Sequence, residues 1–355
     1  MRLWETLAAL PLIVEGYHLE PAEAHVSSGF LRRTTTIVLV GRGHEGRGED
    51  VDYDGDDQIA LQHAGPVQPL VGAWTLGDFC ARVEELDLWP EPPRAPAAVP
   101  YRIWAYESAA LDLALHQAGI NLQETIAREP RPVSFVCSRR LEDWGPDAPP
   151  PDVRRVTALL ERYPGLRLKL DPTPAWDDEV IATLAATGAV DTVDLKGFYE
   201  DSRAAGPPDP EFYTRIAEAF PDAWLEDPWL TPQTDATLRA HRPRITWDAN
   251  MHSVADLDAL PFAPRMVNVK PSRFGPLREL FHMYETCEAR GIAMYGGGQF
   301  ELGVGRGHIQ LLASLFHPDG PNDVAPIGYN DPEPSDGLPS SPLPVGAHPT
   351  GMRWG

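Results

Sequence analysis

The chain has 355 residues, 43% of them hydrophobic, and a formal net charge of −22. A (β/α) barrel takes about 250 residues, so this length leaves room for a second, smaller domain. The negative balance excludes a polyanionic partner such as nucleic acid, and no apolar run reaches the roughly 18 residues of a membrane span.

The opening stretch, MRLWETLAALPLIVEGYHLE, has an apolar patch interrupted by Glu5 and Pro11. It lacks a basic start and a small-residue cleavage site, so it does not read as a signal peptide. Cys80, Cys137 and Cys287 are scattered and form no CxxC. That usage suits a reducing, cytoplasmic setting and argues against a thiolate metal site. TTTIVLV (34–40) reads as a strand, and GRGHEGRGE (41–49) as a glycine-rich turn leading into a second strand or loop. PEPPRAPAAVP (90–100) is an extended connector. YRIWAYESAALDLALHQA (101–118) has helical spacing at Ala110, Leu111, Ala114 and Leu115. Residues 1–125 therefore form one expected unit, α+β in class.

From about residue 132 the pattern alternates. Candidate strands are PVSFVCS (132–138), LRLKL (166–170), TVDLK (192–196), AWLED (223–227), RITWD (244–248), MVNVK (266–270), IAMYG (292–296) and VAPI (324–327). Amphipathic stretches between them, such as 152–163, 177–188, 209–220, 275–291 and 303–316, read as helices. Eight strands with helical crossovers indicate an α/β parallel barrel over 126–328. A doubly wound open sheet is the alternative, but its GxGxxG turn after the first strand is missing. The Pro- and Gly-rich segment 329–355 is expected to pack on the N-terminal unit.

Only three of the 30 basic residues are lysine: Lys169, Lys196 and Lys270. Where arginine is the default cation, a lysine marks a place where losing a proton matters, because guanidinium stays charged above about pH 12. Each of the three closes a candidate strand, and catalytic groups in a barrel sit at the C-terminal strand ends. The same ends carry Asp194, Glu226 and Asp248 on three successive strands. Three carboxylates at one mouth repel unless a cation joins them. Oxygen ligands without His or Cys suit Mg²⁺, with Mn²⁺ as a substitute. A metal-bound carboxylate substrate would then yield its α-proton to a neutral lysine as an enediolate forms. Lys169 and Lys270, on the second and sixth strands, flank the two faces of the α-carbon.

As a set, these residues resemble the enolase superfamily, within it the muconate-lactonizing and mandelate racemase-like enzymes. GRGHEGRGED resembles the capping domain's G-x-GE turn, and YESAALDLALHQAG the helix that closes that domain. Arg167-Leu168-Lys169 stands where the family has K-x-K. Asp194, Glu226 (in LEDP) and Asp248 (in WDAN) match the metal ligands, and Lys270 (in NVKPSRFG) matches the sixth-strand lysine. GGGQFELGVGRG puts Glu301 at the site rim. The resemblance implies a modified TIM barrel, (β/α)7β, behind an N-terminal α+β capping domain. It also implies a small-molecule carboxylate substrate and a homo-oligomer. Specificity would come from capping loops, here 15–33, with His18, His25 and Phe30 as candidates.

The sequence departs from the family at three places. Asp194-x-Lys196 replaces Asp-x-Asn, Asp248-Ala249-Asn250 replaces an Asp-Glu pair, and Arg167 replaces the first lysine of K-x-K. A third ammonium at Lys196 would bind a second substrate anion or weaken metal binding. The glycines at 296–298 and 303–307 suit either a phosphate at a helix N-terminus or close packing of a turn. An isomerase (racemase, epimerase or cycloisomerase) using Lys169 and Lys270 is the leading expectation. The alternatives are a dehydratase, with Lys196 or Glu301 as the acid, and a barrel that binds an acidic metabolite without turnover. Arg167, Asn250, Glu301, His18 and Phe30 are the candidate substrate contacts.

Overall fold

Threonine and β-branched aliphatic residues crowd the segment Leu31–Gly41, and side chains of that shape favour a pleated strand. In the computed structural model, which describes residues 2–143, 149–198 and 205–354, this segment is β3. It is the centre of an antiparallel sheet between β2 (Gly16–His25) and β4 (His44–Asp50). Two short strands, β1 (Pro11–Val14) and β5 (Gly72–Thr75), pair antiparallel beside it. The long helix Ala98–Ala118 lies against β3 and β4. Gly46 and Gly48 explain how closely it lies. A β-carbon at Gly46 would collide with the Ala109 carbonyl oxygen, and one at Gly48 with that of Ala105. The glycine-rich segment expected to be a turn is thus mostly strand. The turn itself is confined to Arg42 and Gly43, both with left-handed backbone.

The second half forms a (β/α)7β barrel. Strands β6 (Val136–Arg139), β7 (Arg167–Leu170), β8 (Val190–Asp194), β9 (Trp224–Glu226) and β10 (Ile245–Thr246) make a parallel sheet in that order. β11 (Met266–Asn268) and β12 (Ala293–Tyr295) form a parallel pair. The bond from Asn268 N–H to Trp247 O (2.9 Å) joins that pair to β10. The circle closes through residues 322–324. Asp323 N–H donates to Gly296 O at 2.8 Å, and Val136 N–H to Asn322 O at 2.8 Å. The eighth strand expected at VAPI is therefore reduced to isolated bridges at Asn322 and Asp323. Beyond them Pro326 has no N–H to extend a ladder, and the Asn322 side chain takes over the bonding to Ser134, His317 and Gly320. Helices Arg154–Arg162, Asp178–Ala186, Pro210–Ala219, Leu277–Arg290 and Val304–Phe316 fall where the periodicity puts them.

Buried polar groups tie the cap to the barrel. Glu49, at the end of β4, accepts from the N–H groups of Leu302, Gly303 and Gly305. Arg32 donates to the carbonyls of Gln299 and Phe300. Glu107, on the long helix, accepts from Leu277 N–H at 2.7 Å. The C-terminal segment returns to the same helix, where Asp112 accepts from Met352 N–H at 2.8 Å and pairs with Arg353 at 2.6 Å. Among the described residues, no helix is long and apolar enough to cross a membrane.

Candidate active site

Parallel strands deliver their terminal side chains to one end of a barrel, and three carboxylates arrive there on successive strands. Asp194 ends β8, Glu226 ends β9, and Asp248 follows β10 by two residues. All three are buried, and each offers an oxygen within 4.8 Å of the others. Among the described residues this is the one such cluster.

Four cations surround it. Lys169, from β7, contacts Glu226 Oε1 and lies 3.2 Å from Asp194 Oδ2. Lys196 contacts the same Asp194 oxygen and lies 3.4 Å from Asp171. Lys270 donates to Asp248 Oδ2 at 2.7 Å, and Arg273 to Asp248 Oδ1 at 2.6 Å. Tyr295 donates its hydroxyl to Glu226 Oε2 at 2.6 Å, and Lys196 its backbone N–H to Asp194 Oδ1 at 3.1 Å. Every oxygen of the triad thus accepts from the chain itself.

The backbone just past the strands is strained. Lys196 has φ of +55° and Asp227 φ of +49°, a conformation that costs a non-glycine residue about 1–3 kcal/mol. The turn at Lys196 is why β8 stops at Asp194, short of the strand end read from the sequence. Asp227 uses its turn to receive the N–H groups of Asp248 and Ala249, each at 2.8 Å, which fixes the third carboxylate. Burial raises the Asp227 pKa to about 7, with Asp248 and Asp194 adding to the rise.

The charges divide the lysines. Burial opposes the Lys169 ammonium, but Glu226, Asp194 and Asp248 outweigh it and hold its pKa well above the ordinary value. Burial lowers that of Lys270 despite Asp248, and the Arg273 and Lys169 charges lower it further. Asp194 and Asp248 are held below the usual carboxylate range, since neighbouring cations overcome their burial. Burial carries Glu226 the other way, against Lys169.

Other candidates lie elsewhere. Arg167 begins β7 and turns to Asp191 and the Gly188 carbonyl, which hold it away from the cluster. His18 is on an exposed stretch of β2 beside Glu20. Phe30 packs edge-on against Phe300, 5.7 Å between centroids, and near Tyr53 at 6.2 Å. Glu301 is buried rather than at a rim, 3.0 Å from Arg306, and it accepts from Gln299 N–H at 2.7 Å. Asn250 Oδ1 is buried without a partner. His252 meets the Arg273 carbonyl, while His308 and His317 are buried in the interior. The Gly303–Gly305 segment accommodates no phosphate, since the Glu49 carboxylate already occupies that helix N-terminus. Sequence reasoning missed Arg273, Tyr295 and Asp227 as neighbours of the triad.

The donor set fits a hard divalent cation, because three convergent carboxylates with oxygen ligands alone are what such an ion takes. Asp194, Glu226 and Asp248 are the residues that could hold it.

Two family models match the chain, described as the N-terminal domain (residues 5–125) and the C-terminal domain (residues 129–331) of a domain of unknown function, DUF8230. The chain is 25% identical over 256 residues to an o-succinylbenzoate synthase of Geobacillus kaustophilus, a match covering 67% of this chain and 65% of that protein. It is 37% identical over 185 residues to an N-succinylamino acid racemase of Thermus thermophilus, covering 49% and 48%. The chain thus spans less than two thirds of these curated relatives' length. A solved structure of an enolase superfamily member from Listeria innocua superposes with a TM-score of 0.64 at 18% identity, covering 89% of this chain and 86% of that one. Muconate cycloisomerase from Pseudomonas fluorescens gives 0.62 at 17%, covering 88% and 87%. The chain belongs to the DUF8230 family, and its cap and barrel share the fold of these enolase superfamily structures.

Proposed function

We propose that this chain is a Mg²⁺-dependent isomerase, with Mn²⁺ as a substitute ion, that moves the α-proton of a small carboxylate substrate. The observation that carries this reading is the approach of Lys169 and Lys270, from the second and sixth barrel strands, to one buried carboxylate cluster. A divalent cation held by Asp194, Glu226 and Asp248 would supply the positive charge that makes such a proton acidic and offsets the enediolate. The two amines address opposite faces of an α-carbon seated between them. One takes the proton and the other holds one for return, so the product differs from the substrate in configuration or connectivity and not in composition. Arg273 and Asp227 hold Asp248, and Tyr295 holds Glu226.

The relatives named as N-succinylamino acid racemases support a substrate with an acylated amine next to its carboxylate. A cavity of about 610 Å³ agrees with a second anionic group. It is lined by Arg139, Arg140, Arg154, Arg155 and Arg162, which outnumber the carboxylates of Asp143 and Glu333 there, together with His25 from the cap. Its Arg140 lies 3.5 Å from Asp171, the neighbour of Lys196.

The test is proton exchange in D₂O with Mg²⁺ and pools of N-acyl amino acids, dipeptides, acid sugars and cyclic acids. Wild type is expected to exchange an α-proton. Lys270→Met and Lys169→Met should lose this on one or both substrate faces, by at least about 100-fold, as expected for removing a general base. Mg²⁺ should raise the Tm of wild type and not of Asp248→Asn. Water loss in place of inversion would make the enzyme a dehydratase. No exchange in any pool, with no Mg²⁺ effect on Tm, would overturn the reading.

A further inference from the structure

Lys196, two residues past Asp194 on the third barrel strand, stands at one of the three places where the sequence departs from the enolase superfamily pattern it resembles. Lys196 there reaches back to the carboxylate oxygen that a metal would use. It does so from a left-handed backbone, φ +55°, which asparagine tolerates and lysine rarely adopts. Asparagine would keep the turn without placing an ammonium in the centre. The location is also crowded with like charge. Lys169 Nζ is 3.2 Å from the same Asp194 oxygen, and Lys270 and Arg273 cover both oxygens of Asp248. On the outer side Lys196 has a second partner, Asp171 Oδ1, at 3.4 Å. It can therefore be drawn off Asp194 without losing all of its pairing.

We propose that Lys196 is a tethered cation that occupies the Asp194 ligand position and must swing toward Asp171 before a divalent metal can bind. This deepens the functional reading above and rests on its metal site. By mass action, an internal group that competes with an external ligand reduces the apparent affinity to the intrinsic affinity times the fraction of time it leaves the site free. Binding then depends on whatever else draws Lys196 away, and an anion in the adjoining arginine-lined cavity lies on the correct side to do so.

Isothermal titration with Mg²⁺ alone, at constant ionic strength, tests this in wild type, Lys196→Asn and Lys196→Met. Circular dichroism of each protein checks that it is folded. Both substitutions should tighten Mg²⁺ binding at least about tenfold, and the increase in Tm with Mg²⁺ should begin at correspondingly lower concentration. Arg140→Gln, which removes a charge one step further out, should change the affinity less than threefold. If wild type and both Lys196 variants bind Mg²⁺ equally, the competition is refuted and the metal-dependent reading stands. If none of them binds, both fail. A gain as large in Arg140→Gln would show a general field effect and would also overturn the proposal. The two uncharged replacements differ in length and backbone preference, so an effect seen in both belongs to the lost ammonium.

Discussion

Asp227 and Asp248 show how much of the site lies in hydrogen bonds that no motif records. Asp227, just before Pro228, caps the neighbouring strand, since its two oxygens receive Asp248 N–H and Ala249 N–H. Replacing it with asparagine keeps the left-handed turn, which asparagine accepts, yet turns an amide NH₂ toward one of those two donors. Asp227→Asn is therefore expected to lose about 1–3 kcal/mol of stability, the penalty of a buried donor left unpaired, as seen in urea unfolding. It should also reduce the Tm response to Mg²⁺, because Asp248 loses its anchor. The three carboxylates and Lys169, Lys196 and Lys270 were legible because strand ends and rare lysines coincide. Arg273 and Tyr295 were not legible. In a chain whose default cation is arginine, one more arginine carries no signal, and a tyrosine on a buried strand reads as core.

Among the elements, β4 carries the most information per residue. Its alternate glycines face the long cap helix, and the next residue, Glu49, turns into the barrel. The periodicity of the sequence identified the helix, but read the glycines as turn residues, because both a loop and a close backbone approach call for glycine. Geometry separates the two uses. A β-carbon at Gly43 would meet nothing within 4 Å, whereas one at Gly48 would enter the helix backbone at Ala105 and Ala109. Gly48→Ala must push the helix away from the sheet, and overpacking of this kind costs about 1–3 kcal/mol or more. Gly48→Ala and Gly46→Ser should both melt below wild type, measured by calorimetry, since a β-carbon at either site meets helix backbone. The eighth strand was misread for a related reason. VAPI has strand composition, but closure of the barrel is carried by Asn322 and Asp323, whose side chains and backbone bond where a ladder would otherwise run.

Over the whole molecule, cap, barrel and C-terminal segment meet around His308. Its ring is buried against Trp104 of the cap helix, 6.5 Å between centroids, and neither ring nitrogen has a hydrogen-bond partner. Burial lowers its pKa to about 4, with Asp112 opposing and Arg353 of the C-terminal segment reinforcing the shift. The parallel strand pattern made the barrel legible in the sequence. This junction was not, because it joins Trp104 to His308 and Asp112 to Arg353, pairs more than 200 positions apart in the sequence. Its consequence follows from linkage. A histidine whose folded pKa lies below its unfolded value of about 6.5 stays neutral in the fold, so the unfolded chain binds more protons at lower pH. The stability tied to His308 is therefore present above about pH 6.5 and is lost as pH falls toward about 4. Over that range the loss is on the order of 3 kcal/mol, from 1.36 kcal/mol per pH unit. His308→Leu keeps an apolar side chain against Trp104 and removes both unpaired nitrogens. Its stability relative to wild type should change little near pH 7.5 and rise steadily in its favour as urea unfolding is repeated down to pH 4.5. A difference that does not vary with pH would mean that His308 already finds a proton partner within this junction.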